Sequence, residues 1–166
     1  MLSLGLGLGR LSGVLKGIVK KGLQLWLDFT KSEVIGGELV VNGSFTGVTQ
    51  AEAVTGFEWT TNAGWTISSG KAHANLTGWS SLLQTTQTFN AGTRLQISYE
   101  LSNWTAGVIK ITVGGVATTV VSDLVNEVKT EEITVTNSSD NTYDFRSSNF
   151  IGSITNISVK EVTQFV

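Results

Sequence analysis

Hydrophobic positions along the chain follow two periods, and the change between them divides the sequence near Gly36. Leu2, Leu4, Leu6 and Leu8 alternate with Ser3, Gly5 and Gly7. Leu11, Val14, Leu15, Ile18 and Val19 then recur at helical spacing, with Lys16, Lys20 and Lys21 off that stripe. Gly13 and Gly17 inside the stripe each cost about 1 kcal/mol relative to Ala, so this helix is expected to form only when docked. Residues 1–36 therefore read as an extended and helical arm, and residues 37–166 as a separate body.

From Leu39 onward no segment sustains a helical period. Short alternating stretches separated by Gly, Asn and Ser predict an all-β, antiparallel sandwich. Leu95, Ile97, Tyr99 and Leu101 alternate with Gln96, Ser98, Glu100 and Ser102, the pattern of a strand with one wet face. Ile109, Ile111 and Val113 lead into Gly114-Gly115, and Val116, Thr118 and Val120 lead away. A Gly-Gly pair there predicts a hairpin, because both central residues of a type I′ turn need positive φ. Trp65 and Ile67, Ser69-Gly70, then Ala72, Ala74 and Leu76 predict a second hairpin. Ile133 and Val135 are expected to pair with Tyr143 and Phe145. Ile154, Ile157 and Val159 break the two-residue period, which predicts a bulge in the last strand.

Composition sharpens this picture. Charged residues make up 14% of the 166, against roughly 25% in ordinary domains, and Ser, Thr, Asn and Gly fill the polar positions. The net charge of -2 offers no overall pull toward phosphate backbones, so nucleic acid is not an expected partner. The chain contains no cysteine, hence no disulfide framework or thiolate site, and no apolar run approaches the roughly 20 residues of a membrane-spanning helix. Proline is also absent, so sheet edges must be covered, bulged or used for assembly.

Charge divides along the same boundary, with +3 on residues 1–36 and -5 on the rest. Arg10 interrupts the apolar run and no small-residue cleavage site follows, which argues against a secretory signal. A membrane-surface helix would use the same basic amphipathic pattern, although its apolar face is short. The third reading is an arm that docks on another protein. Ordering it costs about 1–2 kcal/mol per residue, which its apolar side chains return only when buried against a partner. A fourth is that the segment adds a helix and strand to the body, with Trp26, Leu27 and Phe29 packed on it.

Candidate chemistry is sparse. His73 is the single histidine, and Glu131-Glu132 is the only adjacent carboxylate pair, whose members point to opposite faces of a strand. Neither supports a catalytic triad or a glycosidase acid/base pair, so the chain reads as non-enzymatic and without a cofactor. Gly5, Gly7 and Gly9 lack the strand-turn-helix context of a phosphate loop. Five tryptophans need an account. Trp26 and Trp65 read as packing. Trp59, Trp79 and Trp104 lie beside turn-like stretches and are the candidates for stacking on a sugar ring.

The stretch Leu39-Val40-Val41-Asn42-Gly43-Ser44-Phe45, then Gly64-Trp65, Ser69-Gly70-Lys71-Ala72, Leu83-Gln84, the strand Leu95 to Leu101 and the closing Phe150-Ile151-Gly152-Ser153-Ile154-Thr155-Asn156-Ile157-Ser158-Val159-Lys160 resembles the carbohydrate-binding-module type of jelly roll found in many bacteriophage structural proteins. The likeness covers about residues 38–162. It implies a two-sheet jelly roll of about eight strands with neighbouring termini, accessory and not catalytic. It also implies that a structural calcium is conceivable, with Glu38 and Asn42 as ligands. An arm in place of an enzyme's linker favours a virion protein on the outer surface of the particle, a capsid decoration or cement protein. On that reading Leu11, Val14, Leu15, Ile18, Val19, Lys16, Lys20 and Lys21 anchor it to the major capsid protein or another virion protein, and homo-oligomers, with a trimer as the expected form, follow from the resemblance. The rival expectation is an adhesion module or tail or fibre component that recognises host polysaccharide.

Overall fold

The computed structural model describes residues 32–55, 58–85, 87–114, 116–118, 127–139 and 141–165. Among these the regular structure is entirely β. Nine strands follow one another: β1 (Ser32–Glu38), β2 (Thr60–Thr61), β3 (Trp65–Ser68), β4 (Lys71–Asn75), β5 (Trp79–Thr85), β6 (Arg94–Val113), β7 (Val116–Ala117), β8 (Val128–Thr134) and β9 (Thr142–Phe165). Every pairing between them is antiparallel, and they form one sheet that wraps toward a barrel, consistent with the expected sandwich.

Two long strands organise that sheet. The first part of β9 lies between β5 and the second half of β6, and its middle and last parts lie beside β4, β1 and the first half of β6. Each long strand bends where residues with positive φ interrupt the register: Asn103 and Gly107 in β6, Asn149 and Asn156 in β9. At the crossing a Cβ on Gly107 would meet the Asn149 backbone at 2.2 Å, so only glycine fits. The bulge expected in the last strand is present: between Ser98↔Ser158 and Glu100↔Thr155 the β9 side carries one extra residue, beside Asn156.

Both expected hairpins form. Trp65 pairs with Ala74 and Ile67 with Ala72 around Ser69-Gly70, both of which have positive φ, and Thr112 pairs with Ala117 and Val113 with Val116 after Gly114 turns at positive φ. The pairing of Ile133 and Val135 with Tyr143 and Phe145 does not form. Strand β8 pairs with β6 instead, Ile133 opposite Leu95, while Phe145 faces Leu82 and Ile111. The long β6 takes both strands as partners, so neighbours in sequence are separated in the sheet. Gly36, where the sequence divides into arm and body, lies inside β1, which pairs with the end of β9; residues 32–36 of the segment read as an arm thus contribute to the sheet.

The alternating inward residues meet in one apolar core of Trp59, Trp65, Tyr99, Tyr143, Phe145 and Phe150 with aliphatic neighbours. Trp65 stacks on Phe150 at 5.9 Å between ring centroids, as its core reading requires. The Asn42-Gly43-Ser44-Phe45 motif closes over this core. Asn42 and Phe45 have positive φ, the Phe45 amide donates to the Asn42 carbonyl, and the Thr46 amide donates to Asn42 Oδ1. The Ile157 amide donates to the Gly43 carbonyl, and a Cβ on Gly43 would lie 1.9 Å from the Ile157 oxygen. The opening and closing motifs therefore clasp each other.

Candidate functional site

On β5 the odd-numbered residues point outward, because Leu82 and Gln84 face the core. The same alternation turns Asp144, Arg146 and Ser148 of β9 and Lys110 and Thr112 of β6 to that outer face. The register sets Trp79 opposite Ser148, and Arg146 between Ser81 on one side and Lys110 on the other. Trp79 is 56% exposed, the most exposed aromatic side chain among the large hydrophobic residues described. Lys110 Nζ and Arg146 Cζ each lie 5.6 Å from its ring centroid, within cation–π range.

Two depressions meet at this ring. One of about 340 Å³ is bordered by Trp79, Asn62, Ser81, Asp144 and Arg146, and one of about 360 Å³ by Trp79, Glu52, Asn75, Thr77 and Gly78. Each falls at the lower end of the roughly 300–1,000 Å³ of small-molecule sites. Glu52 is held in place by the Gly64 amide, which donates to Oε2 at 2.8 Å. An exposed indole flanked by two cations and bordered by carboxylate, amide and hydroxyl groups combines an apolar surface with hydrogen-bonding groups of both kinds.

The other two candidate tryptophans stand elsewhere. Trp59 is 1% exposed, packed on Phe45 at 5.2 Å and Phe145 at 6.1 Å, with Nε1 donating to the Asn42 carbonyl. It has no face to offer a ligand, which corrects its reading as a stacking residue. Trp104 is half-buried against the core at the bend of β6, and its Nε1 donates to the Gly107 carbonyl. The Thr60-Thr61 stretch after Trp59, turn-like in sequence, is strand β2 paired with β5. The eight anchoring candidates, from Leu11 to Lys21, lie outside the described residues, as does Trp26.

His73 is tied into the sheet. Ser153 stands directly opposite it on β9; His73 Nε2 is 3.1 Å from the Ser68 carbonyl, which can only accept, so the ring proton sits there and Nδ1 accepts from Ser153 Oγ at 2.9 Å. Ser153 is 3% exposed, so a substrate cannot reach its hydroxyl. Glu132 pairs with Arg94, which also reaches Glu33 of β1. Glu38, considered as a calcium ligand, serves as a backbone clasp: Oε1 accepts from the Leu39, Val40 and Val159 amides and Oε2 from the Ser158 hydroxyl. Partial burial pushes its pKa up, but the hydrogen bonds from Ser158, Val159, Val40 and Leu39 outweigh this and hold the carboxyl below its ordinary value. Asn42, the other ligand considered, spends Oδ1 on the Thr46 amide.

Sequence reasoning missed Lys110, Arg146, Asp144, Asn62 and Glu52 as neighbours of Trp79. Alternation alone places Lys110 on the outer face of its strand, but only the β6–β9 register brings it to Arg146. No protein-family model matches the chain, and no curated protein matches it.

Proposed function

We propose that this chain is a non-enzymatic structural protein of a bacteriophage virion, a capsid decoration or cement protein, that displays a carbohydrate-binding-like jelly roll and engages polysaccharide through the outer face around Trp79. The observation that carries the binding half is the exposed Trp79 ring, set on a rigid strand at the meeting of two polar depressions. A sugar ring laid on that indole would cover apolar surface while its hydroxyls meet Asn62, Ser81, Asp144 and Glu52. The virion half is supported by the resemblance, whose Asn42-Gly43-Ser44-Phe45 and Phe150 to Lys160 motifs are the two segments that clasp each other. The non-enzymatic reading is supported by His73 and Ser153, which are spent on each other inside the sheet.

The same exposed face favours a second reading, a host-recognition module of a tail or fibre. Both require sugar binding, and they differ in where the protein sits on the particle. Affinity electrophoresis through gels containing polysaccharide tests the shared claim: the wild type is expected to be retarded and W79A to run as in a gel without polysaccharide. Equal retardation of the two would remove Trp79 from the site, and no retardation in any gel would end the binding reading.

A further inference from the structure

Lys110 and Arg146 face each other directly across β6 and β9, and like charges in that position destabilise a sheet. Among the described residues neither makes a salt bridge: those present join Arg94 to Glu33 and Glu132, and Lys129 to Glu127. Of the nearby carboxylates, Glu52 accepts from the Gly64 amide and Asp144 has interactions of its own. The two cations instead approach the exposed Trp79 ring. A chain of net charge -2 with only 11 lysines and arginines thus gathers two of them at the most exposed aromatic among the described residues. Two like charges gathered at one exposed ring break a local rule of sheet pairing, as functional sites do.

We infer that the Trp79 face selects a saccharide bearing a negative group, a carboxylate or a sulfate, with the sugar ring on the indole and the anionic group held by Lys110 and Arg146. The inference rests on the saccharide reading of this face and gives its substrate class. The planar guanidinium of Arg146 offers paired donors that match either oxyanion, and Lys110 adds a point charge beside it. Asn62 and Ser81 border the same depression and offer hydrogen bonds to hydroxyls on neighbouring positions.

The test uses the full chain and four probes: polygalacturonate, dextran sulfate, neutral dextran and polyphosphate. Variants are W79A, K110Q, R146Q and the double K110Q/R146Q. An acidic polysaccharide is expected to bind, neutral dextran to bind at least about tenfold more weakly, and the double variant to lose about tenfold or more of the acidic binding. Added salt should weaken the wild type more than the double variant. Because the two cations oppose each other, the double variant should melt no lower than the wild type, which separates a binding role from a structural one. Polygalacturonate against dextran sulfate distinguishes the carboxylate from the sulfate. Dextran bound as tightly as the acidic polymers, and lost in W79A, would overturn charge selection while leaving the saccharide reading standing. Polyphosphate bound as tightly as the polysaccharides, and unchanged in W79A, would reduce the site to charge attraction and overturn the inference. No binding to any polysaccharide would overturn both.

Discussion

The indole of Trp59 fills space between the Asn42–Phe45 loop and Phe145, so its removal leaves a cavity under the loop and takes one of two donors from the Asn42 carbonyl. W59A is expected to cost about 3–5 kcal/mol, as large-to-small changes in cores do. W79A takes an exposed ring from a sheet face and should change stability by less than about 0.5 kcal/mol. Denaturant titration of the two variants checks this; a large loss in W79A would mean that the ring is structural and that its loss of sugar binding says nothing about a site. Glu38 gives a second prediction. Its carboxyl is held below its ordinary value, so the stability it adds is fully present above the unfolded-state pKa and disappears as pH falls through the folded-state pKa. E38Q keeps the shape, with its amide oxygen free to face the three backbone amides and its NH2 the Ser158 hydroxyl, but loses the charge. At neutral pH it should cost about 1 kcal/mol or less, the carboxyl being exposed to solvent, and the gap to wild type should close as pH falls below the ordinary carboxylate range. A gap that stays constant across that range would show that ionised Glu38 contributes nothing through its charge.

Strand β1 is held by its ladder to β9 and by the Glu33–Arg94 pair, and its residues from Glu33 to Glu38 are exposed. Removing residues 1–31 leaves this strand whole, whereas removing residues 1–36 strips the ladder from the end of β9. The shorter chain should therefore be less stable than the longer by about 1–2 kcal/mol, chiefly from lost backbone hydrogen bonds, since the exposed ion pair contributes little. Equal thermal melts for the two truncations would show that β1 adds nothing. The same scale explains what the sequence conveyed. Alternation at Leu95 to Leu101 and the turn residues Ser69-Gly70 and Gly114-Gly115 encode local geometry, and those strands and hairpins could be read directly. The misplaced β8–β9 hairpin could not, because the choice between β6 and β9 as a partner for Ile133 depends on how a 20-residue strand bends at Asn103 and Gly107. The site divides the same way. Trp79 was legible as a candidate, but its contrast with Trp59 depends on which loop folds over the core. Lys110 and Arg146, 36 positions apart, meet only through register.

For the whole molecule, edge protection and attachment decide the role. With no proline to blunt its edges, the sheet uses other means: β2 and β7 are two residues long, and β8 carries Lys129, Glu131 and Glu132. Isolated bridges from Gln50 and Val54 cover β3 and β2, and the register of β1 shifts between Ile35 and Glu38. Such edges resist strand-to-strand association, a property suited to a domain presented in many copies. Attachment would then fall to the basic segment ahead of β1, where Leu11, Val14, Leu15, Ile18 and Val19 recur in the sequence at helical spacing and Lys16, Lys20 and Lys21 lie off it. If that segment grips a coat protein, crosslinking mass spectrometry on native particles should join Lys16, Lys20 or Lys21 to the coat subunit. The chain lacking residues 1–31 should keep its fold and its Trp79 face yet no longer sediment with particles. Crosslinks confined to other copies of this chain would make the segment an oligomerisation element, and a truncated chain that still sediments with particles would move the attachment site onto the sheet itself.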